Sequence, residues 1–118
     1  MVINTKVPTE DQEQALFVAW FRAQFPNVLI HSIPNGDMRH MGVALRMVRT
    51  GVVKGIPDLF IPEWRVWVEM KRRRGGRVRP EQKEVIAYLE RVGYTVFVGK
   101  GFEDARDKIL NFRKEKRT

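Results

Sequence analysis

Two short apolar runs in this chain carry charged side chains where a buried strand ordinarily carries none. Gly55-Ile56-Pro57-Asp58-Leu59-Phe60-Ile61 holds an aspartate, and Trp67-Val68-Glu69-Met70-Lys71 holds a glutamate and a lysine. Pro62-Glu63-Trp64-Arg65 lies between them and reads as a turn, so the runs are expected to pair as an antiparallel hairpin. Strand alternation then puts Glu69 and Lys71 on one face and Val68 and Met70 on the other. The pairing brings Asp58 toward Glu69 at one edge of the hairpin. Two carboxylates and a lysine so arranged point to a divalent cation with an activated water beside it.

The rest of the chain is read for what it adds to that hairpin. Its 118 residues suffice for one domain, 1–118, around one core. Cysteine is absent, which excludes disulfides, zinc–thiolate sites and cysteine catalysis. Met1 to Lys6 has no signal-peptide pattern and no apolar run reaches transmembrane length, so a cytoplasmic location without a membrane partner is expected. A net charge of +8 and a pI near 10.3 call for an acidic partner. The bases do not gather on one amphipathic helix, which favours nucleic acid over a membrane surface.

Thr9-Glu10-Asp11-Gln12 has the form of a capping box, and acids at 10, 11 and 13 suit the positive end of a helix dipole. The helix runs to about Phe25, before Pro26, with Leu16, Phe17, Trp20, Phe21 and Phe25 as its core stripe. Glu13 falls in phase with that stripe, and Glu10 lies one turn further out. Either can reach inward as a third acid; the alternative is that both only complement the dipole.

Val28 to Ile33 reads as a strand ended by the turn Pro34-Asn35-Gly36-Asp37. Met38 to about Thr50 reads as a helix with Met41, Leu45 and Val48 on one face and Gly51 as its cap. The only histidines, His31 and His40, form no metal-ligating or nuclease-type histidine motif. Both are read as structural or phosphate-contacting.

After Lys71 come Arg72, Arg73, Arg74, Arg77 and Arg79, interrupted by Gly75 and Gly76. Glycines permit close approach and arginines bind phosphate bidentately, so this loop is expected to hold a phosphate backbone. Pro80 opens a helix to about Val92, with Ile86 and Leu89 inward and Val85 and Val92 beside them. Tyr94 to Val98 is a further strand. Phe102 to about Phe112 is a last helix with Ala105, Ile109 and Phe112 inward, followed by a frayed basic tail, 113–118. The order predicts an α/β fold whose central mixed sheet is flanked by helices on both sides. A right-handed crossover sets the last strand beside the Glu69 strand.

Phosphodiester hydrolysis needs a hard cation, a positioned water and neutralisation of phosphate charge. Asp58 and Glu69 would ligate magnesium, and Met70 can offer its backbone carbonyl. Lys71 would orient or deprotonate the water, and Glu10 or Glu13 would complete the shell or hold a second ion. The competing reading makes Asp58 a turn initiator and leaves Glu69 and Lys71 on an exposed strand face.

Gly-Ile-Pro-Asp-Leu at 55–59, Glu-Met-Lys at 69–71 and Arg-Pro-Glu-Gln-Lys at 79–83 together resemble the PD-(D/E)XK nuclease superfamily. The spacing is similar to that of its stand-alone VRR-NUC members, found in phages and bacteria, and Ile33-Pro34-Asn35-Gly36 fits the same likeness. The resemblance implies a restriction-endonuclease-like core and a magnesium- or manganese-dependent endonuclease acting on DNA. Branched DNA such as Holliday junctions, cut by a homodimer, is the implied substrate. It implies catalytic roles for Asp58, Glu69 and Lys71 and an auxiliary one for Gln82. Glu10 and Glu13 match in two registers, and Asn35 is implied at the substrate. Two alternatives stay open: a nuclease or nickase on flaps or linear DNA, and a non-catalytic DNA-binding module of the same fold.

Overall fold

The structure is a computed structural model that describes residues 6–34 and 41–116. The expected turn at Asn35, the start of the second helix and His40 therefore lie outside the described residues.

Helix α1 spans Glu10–Gln24. The Thr9 hydroxyl accepts from the Gln12 N–H at 3.1 Å, and the Gln12 side chain accepts from the Thr9 N–H at 2.9 Å. The capping box is thus closed from both sides. Glu13, Phe17 and Phe21 form its fully buried stripe. Leu16, expected on that stripe, is instead 52% exposed and lines an open groove with Val7 and Pro8. Phe21 and Phe25 close on Trp64 from the hairpin turn, at centroid distances of 5.3 and 4.9 Å.

Strand β1 is only His31–Ser32, shorter than the Val28–Ile33 expected. Its partner β2, Leu59–Ile61, is itself three residues long and runs into Pro62, which has no N–H to give a ladder. Ile30 is buried in the core without pairing. A single turn of 3-10 helix, Pro62–Trp64, leads into β3, Val66–Lys71. Helix α3, Pro80–Arg91, precedes β4, Thr95–Lys100, and α4 covers Phe102–Lys116. The basic tail expected to fray from residue 113 continues α4 as far as Lys116, and Val92, expected inward, caps α3 and is exposed.

The sheet order is β1-β2-β3-β4, antiparallel for the first two pairs and parallel for β3 with β4. The mixed sheet is as the element order predicts, with α3 as the connection that a parallel neighbour requires. Val66, Val68 and Met70 turn one face of β3 into the core beneath α1 and α4. Trp67, Glu69 and Lys71 occupy the other face.

Helix α2, Met41–Arg49, stands apart from this packing. Leu45 and Val48, expected on a packed face, are 59% and 54% exposed. Among the described residues nothing covers Leu45 and Val48.

Candidate active site

The β2–β3 register, Leu59 opposite Val68 and Phe60 opposite Trp67, sets Asp58 opposite Glu69 one rung further on. No backbone rung forms there. The Asp58 carboxylate takes its place, accepting the Met70 N–H at 2.7 Å through Oδ2. On its other side the Asp58 carbonyl accepts the Ile33 N–H at 2.9 Å. A strand residue directs its N–H and C=O to the same edge, so the Met70 carbonyl also faces the Asp58 edge.

The glycine before this aspartate has a steric task. Gly55 holds φ +91°, and a Cβ there would sit 2.6 Å from the Glu81 carbonyl oxygen in the first turn of α3. The approach draws α3 against the chain that carries Asp58. Gln82, one residue on, works in two directions. Its side-chain oxygen accepts the Arg79 N–H at 2.8 Å, capping the helix, while its amide donates to Glu69 Oε2 at 2.7 Å.

Glu69 and Lys71 are almost entirely buried, at 2% and 5% exposure. The Lys71 ammonium lies 3.2 Å from the same Oε2. Oε1 of Glu69 is buried without a hydrogen-bond partner. Burial, and then the charge of Asp58, push the Glu69 carboxyl up to about 7. Burial likewise raises Asp58, against the Met70 N–H that favours its charged form.

This donor set fits a hard divalent cation. The half-buried Asp58 and buried Glu69 carboxylates repel each other, Glu69 Oε1 is buried without a partner, and the Met70 carbonyl faces the Asp58 edge. Among the described residues no group of three His, Cys, Asp or Glu side chains gathers at ligating distance. Water and substrate oxygens would therefore fill the remaining positions, as magnesium prefers.

The helix-one acids sort differently from expectation. Glu13 is in phase with the core stripe and fully buried, but it does not open toward Asp58. It accepts Arg73 Nε at 2.8 Å and Arg73 Nη2 at 3.0 Å, and also the Phe102 N–H at 3.1 Å. The arginine holds its carboxyl below the usual range. Both oxygens are occupied, so the structure gives Glu13 an anchoring contact in place of the metal contact expected. Glu10 is exposed at the helix start. The helix-one charge felt at Asp58 is that of Asp11, which helps raise it. Sequence reasoning passed over Asp11 because it sought acids in phase with the core stripe. The site lies where the internal strands β2 and β3 part, beyond the core that the stripe packs against.

The arginine loop divides in two. Arg73 is committed to Glu13, and Arg72 donates to the Val7 carbonyl at 3.3 Å. The side chains of Arg74, Arg77 and Arg79 lie exposed. Gly76 makes its close approach to the backbone of Arg72, 2.9 Å from where a Cβ would sit, so it folds the loop on itself. Asn35 lies outside the described residues.

A solved structure described as "VRR_NUC domain protein" is similar to this chain at 30% sequence identity and a TM-score of 0.77. The match covers 92% of this chain and 91% of that one. No family model matches the sequence, and no curated protein does.

Proposed function

The chain belongs to the VRR-NUC domain family, a nuclease fold, and from that premise we propose that it is a magnesium- or manganese-dependent endodeoxyribonuclease. The observation that carries this reading is the pairing of half-buried Asp58 with buried Glu69 and its orphaned oxygen, set beside Lys71. A cation held by Asp58, Glu69 and the Met70 carbonyl would supply Lewis acidity and a water made nucleophilic near neutral pH. Gln82 fixes the Glu69 carboxylate so that one oxygen stays directed at that position. The Lys71 ammonium donates to the attacking water or to a non-bridging phosphate oxygen, offsetting the charge that grows as the phosphorus–oxygen bond breaks. Arg74, Arg77 and Arg79 hold flanking phosphates.

The substrate in this reading is branched DNA, with four-way junctions cut by a homodimer whose two sites make paired incisions. Leu45 and Val48 on the uncovered face of α2 support a second copy. A cytoplasmic protein of bacterial or phage origin belongs to the same proposal; no helix among the described residues is long and apolar enough to cross a membrane. Cleavage mapping on four-way, flap and linear DNA with magnesium tests the proposal. Symmetric cuts in the junction, abolished by Asp58→Ala and by Glu69→Ala with binding retained, are expected. Cleavage that survives both substitutions would remove the site assignment. Cutting of flaps or ends alone by a monomer would replace junction resolution with the flap or linear-end reading. Binding without cleavage by the unmodified protein would leave a DNA-binding module.

A further inference from the structure

A second cleft opens beside the catalytic acids, on the far side of β2 from the arginine loop. It has a volume of about 330 Å³ and runs between α1 and the edge strand β1. Asp11, Gln14, Val18 and Arg22 line it from the helix, and His31 and Ser32 from the strand. The α1 residues fall along one helix face, and Asp11 to Arg22 covers about 16 Å at the helical rise. The near end is fixed to the active site by the chain itself. Leu59 floors the cleft and follows Asp58, and the Asp58 carbonyl holds the N–H of Ile33, next to Ser32.

The lining keeps unused polar capacity. Arg22 donates from Nη2 to the Ile30 carbonyl at 3.3 Å, and its other N–H groups have no partner among the described residues. The His31 ring bonds the Ser32 carbonyl through Nδ1 at 3.0 Å and stands edge-on to Phe60, and Nε2 has no partner among the described residues. The side chains of Gln14 and Ser32 have no hydrogen-bond partner among the described residues. Donors and acceptors in a narrow slot, with a cation at the far end, match a sugar–phosphate strand with its base. The volume is at the small end of ligand pockets, roughly 300 to 1,000 Å³, enough for a nucleotide and too small for a duplex.

We propose that this α1–β1 cleft takes the unpaired DNA strand adjoining the scissile phosphate, with Arg22 as the phosphate anchor farthest from the cut. The inference rests on the nuclease reading but not on its four-way-junction substrate, and adds the strand path that selects DNA with an unpaired branch, such as a flap, over fully paired DNA. Arg22, the lining cation at the end away from Asp11, attracts the phosphate.

The test is fluorescence anisotropy of a labelled oligothymidylate on metal-free protein, alongside magnesium-dependent cleavage of matched flap and fully paired substrates. Arg22→Glu is compared with Arg91→Glu, an equal change of charge at the exposed end of α3. Arg22→Glu is expected to weaken oligothymidylate binding at least tenfold and to raise KM on the flap substrate similarly, with kcat retained. Arg91→Glu is expected to shift either by less than twofold. Equal effects of the two variants, or equal losses on flap and paired DNA, would overturn the cleft assignment while leaving the nuclease reading intact. No cleavage of any DNA by the unmodified protein would overturn the nuclease reading. Tight oligothymidylate binding lost only in Arg22→Glu would still support the cleft as a single-strand site.

Discussion

Glu69→Gln in the metal-free protein separates the electrostatic account of the site from a purely steric one. The Glu69 carboxyl is pushed from an ordinary 4.5 to about 7, first by burial and then by the charge of Asp58. In the unfolded chain it titrates at the ordinary value. Between those two pH values the folded protein keeps a proton that the unfolded chain has released. Its stability is therefore full at the acid end and falls as pH rises through the folded value. A displacement of this size corresponds to about 3 kcal/mol lost between about pH 5 and pH 8. For a domain of this length that is roughly 10 °C in Tm. Glutamine keeps the shape and still accepts from Gln82 and Lys71, but it does not titrate. Scanning calorimetry in chelator across that range should show a falling Tm for the unmodified protein and a much flatter profile for the variant. Excess magnesium should restore the unmodified protein at pH 8 by replacing the proton with a cation. A variant that keeps the original slope would refute the reasoning, because the slope would then belong to other groups.

Gln82→Ala removes the amide that fixes Glu69 and should lower the cleavage rate about 10- to 100-fold, with DNA binding unchanged by anisotropy. Arg73→Ala leaves Glu13 buried with only the Phe102 N–H and should cost about 3 kcal/mol in urea denaturation. Arg74→Ala, at an exposed position, should stay within about 0.5 kcal/mol. Gly55→Ala combines a φ of +91° with a Cβ 2.6 Å from the Glu81 oxygen and should destabilise the fold by about 2–3 kcal/mol. Neutralising Arg74, Arg77 and Arg79 together should lower the slope of log affinity against log salt by about 2 to 3.

Short-range chemistry in this chain was legible from the sequence. The Thr9 cap, the hairpin, the shared face of Glu69 and Lys71, and Pro80 at the start of α3 follow from local rules and appear in the structure. What those rules miss depends on packing between distant segments. Periodicity brought Glu13 inward but carries no information about what meets it there. The partner, Arg73, lies 60 residues away in sequence. The same pairing withdraws one arginine from a loop whose composition makes all of them look alike. Asp11 was hidden for the opposite reason. Its position off the core stripe looks like a surface acid until the sheet edge is placed beside it. Strand β1 was overread because β-branched residues favour extended chain, whereas pairing length is set by the partner, which Pro62 ends. Leu45 and Val48 mark a limit of another kind, since an amphipathic stretch does not say whether its own chain covers it.

The most direct measurement of the central claim is a calorimetric titration of manganese or magnesium into the unmodified protein and into Glu69→Gln. The account predicts a saturable divalent-metal site in the unmodified protein that strengthens as pH rises through about 7, where Glu69 releases its proton. It predicts loss of that site in the variant, with DNA affinity retained. Metal binding of unchanged strength in Glu69→Gln, or no binding by the unmodified protein, would contradict it.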